Sequence, residues 1–239
     1  MTTLDCRETI IGCVFQYWLP RIVYTAGCGI GTIYITIDND DNICFGKNLL
    51  FVPKWTDLDT EVRFSCLEKL HPKREVLLAD TDGCIFVYDD QYHEKIKQRE
   101  ELKVPFFPKD MHVIVDPVYQ SFLHMAVVGD GKLSILKIDV TGRVPVKYFE
   151  LAKSEARGAA WSPGDQLAIN VLYSDCLLRQ WRLDKDTDTW VVWSVHPVAG
   201  QGMDICFIRD QMSFVAYATT KSVVAEYFQQ PGEPRKAKR

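Results

Sequence analysis

Between Ile22 and Tyr227 one short phrase recurs five times: an apolar strand, a turn of small or acidic residues, and a second apolar strand ending near an aromatic residue or an aspartate. A fixed internal period means that one supersecondary unit is repeated, and that each copy buries its apolar faces against its neighbours. The clearest copies are Val76 to Asp89 (VLLADTDGCIFVYD), His124 to Asp139 (HMAVVGDGKLSILKID) and Leu167 to Asp184 (LAINVLYSDCLLRQWRLD). Fainter ones run from Arg21 to Asp38 and from Phe214 to Phe228. With Ile33, Ile85, Leu133, Leu178 and Val223 as equivalent points, the copies are spaced by roughly 45–52 residues, the period of a four-stranded propeller blade. The period predicts an all-β chain built as a β-propeller of about five blades.

An upstream strand precedes each copy: Cys13 to Pro20, Val62 to Pro72, His112 to Gln120, Gly158 to Gln166 and Asp204 to Gln211. The last two place an aromatic residue, Trp161 or Phe207, before a polar turn and an alternating run, which is the pattern of a hairpin. A fourth, outer strand falls in the less regular stretches between copies, such as Val144 to Leu151 and Trp190 to Val195. Outer strands are half exposed, so weaker patterning is expected there.

The repeat resembles the WD-repeat family. Asp82-Gly83 is followed by Ile85, Val87, Tyr88 and Asp89; Asp130-Gly131 by Leu133, Ile135 and Asp139; Asp175 by Leu178, Trp181 and Asp184; and Trp161-Ser162-Pro163-Gly164 opens its copy. The resemblance implies that Asp82, Asp130 and Asp175 sit in the tight turn between the second and third strands, where a carboxylate accepts nearby hydrogen bonds. It also implies that Trp161 and Trp181 are structural repeat positions, with Trp181 filling the space between blades. The terminal Trp-Asp pair of that family is intact nowhere here, and the Gly-His that opens its repeats is absent, so the resemblance is to a divergent member.

Residues 1–230 read as one domain and residues 231–239 as a basic, disordered tail. Hydrophobic residues make up 47%, an ordinary share for a globular domain, and no apolar stretch is long enough for a membrane-spanning helix. The first residues, MTTLDCRETIIGC, lack a basic segment followed by an apolar core, so the expectation is an intracellular protein of the cytoplasm or nucleus. The eight cysteines are scattered without a C-x-x-C pair, and the five histidines have no paired spacing. The cysteines read as small buried hydrophobes rather than disulfides, the histidines give no support for a zinc site, and His71 and His196, each before a proline, read as solvated or turn-bonded imidazoles.

Motifs that suggest chemistry fail on context. GCGIG (Gly27 to Gly31) and GDGK (Gly129 to Lys132) are each followed by an alternating strand rather than a helix, so neither cradles phosphate. DNDDN (Asp38 to Asn42) begins like a calcium loop, but Ile43 and Leu49 stand where Gly and Glu are needed. The first strands of the copies, read at Val14-Phe15, Ala159 to Trp161 and Ile205 to Phe207, carry little chemistry. No cofactor, metal or catalytic residue is assigned.

The expected function is therefore a non-enzymatic protein–protein interaction scaffold, a subunit of a larger intracellular complex of the nuclear-pore, ubiquitin-ligase or chromatin type. The alternative is a propeller enzyme with its site at a central channel. Net charge is −4, and removing the tail's four positive charges leaves about −8 on the body, which disfavours direct nucleic-acid binding. Candidate partner contacts are the basic cluster Arg235, Lys236, Lys238 and Arg239, and the aromatic pair Phe106-Phe107, which either packs as an outer strand or stands exposed as an anchor. The charge-rich Asp89 to Lys103 is expected to be a helical or mobile insertion, with helix confined to Tyr92 to Leu102. The fifth copy lacks a downstream source for its fourth strand. That strand is expected either from Thr2 to Ile11, closing the ring, or from a partner.

Overall fold

The computed structural model describes residues 10–16, 21–26, 29–51, 63–69, 76–88, 97–139, 145–151, 154–162, 167–207 and 214–227. They form nineteen strands and, among the described residues, no helix. The strands group into five antiparallel sheets that follow the chain in order. The first holds β1 (Ile10–Gln16), β2 (Arg21–Ala26), β3 (Gly29–Ile37) and β4 (Ile43–Phe51). The second holds β5 (Phe64–Lys69), β6 (Val76–Asp80), β7 (Cys84–Tyr88) and β8 (Lys97–Lys103). The third contains β9 (Asp110–Val115), β10 (Phe122–Gly129), β11 (Lys132–Asp139) and β12 (Pro145–Glu150), and the fourth β13 (Ala156–Ser162), β14 (Ala168–Tyr173), β15 (Leu177–Asp184) and β16 (Thr189–Pro197). The fifth has three strands among the described residues: β17 (Gly202–Phe207), β18 (Phe214–Thr219) and β19 (Val223–Tyr227).

Each sheet is a meander: its strands pair in chain order, and the stretches of sequence between them are too short for a crossover. The β10–β11 turn shows how sequence imposes this. Gly129 pairs with Lys132, leaving Asp130 and Gly131 at φ 48° and 74°, the two positive angles of a type I′ hairpin turn. In the β6–β7 turn the carboxylate of Asp80 accepts hydrogen bonds from the backbone N–H of Asp82 and Cys84, at 2.9 and 2.8 Å. Gly83 there has φ 84° and lies so close to the carbonyl of Val104 that a Cβ would collide with it.

Consecutive sheets meet along their first strands, β1 beside β5, β5 beside β9, β9 beside β13 and β13 beside β17. Among the described residues no comparable contact joins β17 to β1. The second strands are enclosed on both faces: every residue of β6 and β14 is buried, as is all of β10 but its first. The largest core clusters accordingly lie between sheets. One joins the second and third through Ala79, Ile85, Met111 and Met125; another joins the third and fourth through Leu133, Ile135, Ile169 and Trp181.

Three expectations change. The segment expected to be helical contains β8, a strand paired with β7 at Val87↔Lys97 and Phe86↔Gln98. An outermost strand presents one edge to solvent, where charges are tolerated, so pairing overrides the helix-forming composition of KQREELK. Phe106 and Phe107 are not the outer strand of that sheet. They follow it, in a segment that crosses to the third sheet and is fixed by Val104 N–H on the Gly83 carbonyl (2.9 Å) and Lys109 N–H on the Val128 carbonyl (2.8 Å). Finally, Ile10 and Ile11 belong to β1 of the first sheet, where Ile10 pairs with Ala26, so they do not supply a fourth strand to the fifth sheet. Residues 2–9 lie outside the described residues.

Trp181 is buried in the cluster between the third and fourth sheets, and its indole N–H donates to the hydroxyl of Tyr173 at 3.0 Å. The Tyr173 ring in turn carries the Arg179 guanidinium 4.5 Å from its centroid. Trp181→Ala leaves a cavity that joins two sheets and should cost about 3–5 kcal/mol in urea unfolding. A loss under 1 kcal/mol would contradict this packing.

Candidate interaction surface at the third and fourth sheets

Strand β16 departs from the usual treatment of a sheet edge. Of its first seven residues only Trp190 is buried; Val191, Val192, Trp193 and Val195 are exposed, and no charged residue stands between Trp190 and Val195. Exposed edges normally carry lysine or other charges that discourage pairing. Here a β-bulge does that work. Gln180 pairs with Ser194 and Trp181 with Val192, so Trp193 is the extra residue and is 52% exposed. The guanidinium of Arg182 stacks over its ring, 4.5 Å from the centroid, a cation–π contact that holds the indole in place at the surface. The outcome is an edge strand with an exposed apolar run that carries no charged residue of its own.

Beside the turn that leads into β16 lies a pocket of about 170 Å³ between the two sheets, bordered by Asp116, Tyr119, Lys137, Leu183, Lys185 and Asp188. Its carboxylates are already engaged. One Asp116 oxygen accepts the N–H groups of Val118 and Tyr119, each at 2.9 Å, and the other meets His124 Nε2 at 3.0 Å. Asp188 takes the ammonium of Lys147, which reaches across from β12 to its carboxylate at 2.7 Å and its carbonyl at 2.9 Å. His124 is fully buried against the edges of Trp161 and Trp190. Burial lowers its pKa, against the opposing pull of Asp116. Burial would raise Asp116, but the two N–H groups and His124 hold it below the ordinary carboxylate range. A neutral imidazole beside a saturated carboxylate fixes the turn through Nε2, while the buried Nδ1 has no hydrogen-bond partner among the described residues.

The first strands do carry ionisable groups that the sequence reading passed over. Glu68 on β5 and Asp110 and His112 on β9 meet where the second and third sheets adjoin. His112 lies 2.7 Å from Asp110 Oδ2 through Nε2 and 3.5 Å from Glu68 Oε2 through Nδ1, while its carbonyl accepts the indole N–H of Trp161 at 3.0 Å. Burial works against a charged imidazole here, but the hydrogen bonds to Asp110 and Glu68 win and push its pKa up to about 10. No local signal in the sequence could have found this cluster, since Glu68 and His112 come together only through the packing of two sheets. Among the described residues no group of three histidine, cysteine or acidic side chains is placed to hold a metal ion.

The residues singled out in the sequence fall into several places. Asp130 is at the β10–β11 turn and accepts the Phe107 N–H at 3.0 Å. Asp175, in the β14–β15 turn, accepts a fork from Arg179 at 2.6 and 3.2 Å and the hydroxyl of Ser154 at 2.8 Å. In the second sheet the turn is closed by Asp80, two residues before Asp82, and Asp82 itself is exposed. Trp161 is buried on β13 against His124 and Trp190. Phe106 is buried in the core between the second and third sheets and is unavailable to a partner, whereas Phe107 is partly exposed. Arg235, Lys236, Lys238 and Arg239 lie outside the described residues. The sequence marks β16 as an outer strand and no further, because exposure cannot be told from burial in a run as apolar as WVVWSV.

No protein-family model matches the sequence, and no curated protein matches it.

Because His112 has a higher pKa folded than the ordinary value near 6.5, its contribution to stability is complete below about pH 6.5 and disappears as the pH rises through about 10. Thermal unfolding of His112→Gln should therefore fall furthest below wild type at pH 6 to 7 (on the order of a few degrees), with the gap closing toward pH 10. A gap that widens with pH would show that the imidazole is neutral in the fold.

Proposed function

We propose that this chain is a protein–protein interaction scaffold, a divergent propeller of the WD-repeat type that serves as a subunit of a larger intracellular assembly. Nuclear-pore, ubiquitin-ligase and chromatin complexes are the kinds of assembly that such a subunit fits. Five meander sheets, packed in chain order along their first strands, support the propeller reading. So do the tight turns at Asp130-Gly131 and around Asp175, which coincide with the repeat.

The observation that carries the functional reading is the exposed apolar run of β16. Val191, Trp193 and Val195 stand exposed on a strand without charges, and Arg182 is stacked on Trp193. An exposed tryptophan with an arginine stacked on it has the composition of a binding hot spot, and the valines beside it supply apolar area around it. The fifth sheet has three strands among the described residues, and the edge of β19 is a second place where a partner strand could add.

The test is affinity purification of the tagged full-length chain from native lysate, with quantitative mass spectrometry, in parallel for wild type and Trp193→Glu. Co-purifying proteins should fall at least tenfold for the variant while its melting temperature stays within a few degrees of wild type. Equal recovery with both would remove β16 from the interface, and a wild-type chain that purifies alone would overturn the scaffold reading.

A further inference from the structure

The β3–β4 hairpin changes character halfway along. From Gly29 to Ile33 every residue of β3 is buried, and from Tyr34 onward the strand is exposed or half-exposed. The change coincides with a bulge. Ile33 pairs with Asn48 but Ile35 with Phe45, so β4 carries an extra residue opposite Tyr34. Gly46 sits at this point with its α-carbon closed in by the carbonyl and Cβ of Tyr34, a position that a larger residue would push apart. Strand β2 begins at Arg21, opposite Tyr34, so among the described residues β3 pairs beyond the bulge with β4 alone. The outer half of the hairpin is a two-stranded arm that leaves the sheet.

One face of the arm is apolar. Ile35 pairs with Phe45 and Ile37 with Ile43, and the pleat puts all four side chains on the same side. Ile37 is 69% exposed, Ile43 65% and Phe45 52%. The tip is acidic. Asp38, Asp40 and Asp41 occupy the turn, and no described base lies within ion-pair distance of them. The turn is well formed: Asp38 Oδ1 accepts the N–H groups of Asp40 and Asn42, both at 2.9 Å, and Asp41 takes φ 60°. Exposed isoleucines and a phenylalanine on a strand pair that has no core of its own contribute nothing to the fold, since burial is what makes such residues stabilising.

We propose that this arm docks on a partner protein through a segment that is apolar where it covers Ile37, Ile43 and Phe45 and basic where it meets Asp38, Asp40 and Asp41. The proposal rests on the reading of the chain as an interaction module, but it uses a surface separate from β16. Charge complementarity selects the occupant. Three uncompensated carboxylates at the end of an apolar stripe repel an acidic partner and attract lysine or arginine, while the stripe supplies the area that water must leave. A nucleic acid is excluded as occupant by the same three charges.

The experiment selects a random linear peptide library, displayed on phage, against the full-length chain, with counter-selection on the double variant Ile37→Ser/Phe45→Ser. Both substitutions lie on the exposed arm, so the variant should melt within a few degrees of wild type. Enriched peptides should combine a large apolar residue with neighbouring lysine or arginine. A synthetic representative should bind wild type, weaken with added salt, and lose about three- to tenfold in affinity on Asp40→Asn/Asp41→Asn, as expected for two exposed ion pairs. Enrichment of acidic or uncharged peptides, unchanged affinity for the Asp40→Asn/Asp41→Asn chain, or no peptide surviving counter-selection would overturn the proposal. So would a concentration-dependent dimer abolished by Ile37→Ser, which would assign the face to a second copy. Peptides specific for the arm, together with a chain that purifies alone from lysate, would sustain the arm and sink the wider reading. The reverse pattern, partners lost with Trp193→Glu but no arm-specific peptides, would sink the arm alone.

Discussion

Everything in this molecule depends on the fact that its second strands are apolar on both faces. A single antiparallel meander can bury one face by curling or by packing on one neighbour, yet β6, β10 and β14 leave almost no residue in contact with water. Each inner sheet must therefore lie between two others. Short turns force the chain to finish one sheet before starting the next, so neighbours in sequence become neighbours in space. The core is consequently a series of layers between sheets, and the side chains that matter most are those filling the gaps: Met111 and Met125 in one, Trp161 and Trp181 in the next. A meander stripped of its neighbours would expose both faces, which is why repeats of this kind stabilise one another.

Polar groups inside this arrangement serve the junctions. Lys147 of β12 reaches Asp188 of the fourth sheet, Glu68 of β5 reaches His112 of β9, and the indole of Trp161 on β13 donates to the His112 carbonyl. Each contact joins elements that the turns alone would leave free to slide. Hydrophobic packing is tolerant of small shifts, whereas a hydrogen bond between charged groups is short and directional. The apolar layers give the sheets a reason to meet, and these contacts add directional links across the junctions. Cys66, buried in the layer between the second and third sheets, shows the converse: its thiol is pushed up to about 12 by burial and behaves as a small apolar group.

The repeat was legible because its signal is local. Period-two alternation on either side of Asp130-Gly131 and Asp175 is enough to specify a hairpin, and the hairpins stand where the sequence puts them. Outer strands were legible only where they were apolar. Val144 to Leu151 and Trp190 to Val195 correspond to β12 and β16, but KQREELK reads as helix because it pairs with a neighbour at one edge only and needs no apolar face of its own. Adjacent residues with the same chemistry were separated by the fold. Phe106 enters the core where the chain crosses from the second sheet to the third, and Phe107, one residue on, is partly exposed while its backbone N–H donates to Asp130. The cluster of Glu68, Asp110 and His112 was invisible for a different reason: its geometry is made by two sheets and by no single stretch of chain.

The same logic separates what the fold consumes from what it leaves over. Asp116, His124, Asp175 and Arg179 are all taken up by turns or by one another, so they define shape. Outside those pairs, among the described residues, stand the exposed apolar run of β16 and the arm of β3 and β4. Both are marked by a β-bulge, at Trp193 and opposite Tyr34. A bulge breaks the ladder that would let another strand add itself in register, and it re-aims the side chains beyond it. Exposed apolar strands without such breaks invite indiscriminate pairing. Placed beyond a bulge, they keep their side chains available while their edges are blunted, which restricts what can bind them to surfaces that match their shape and charge.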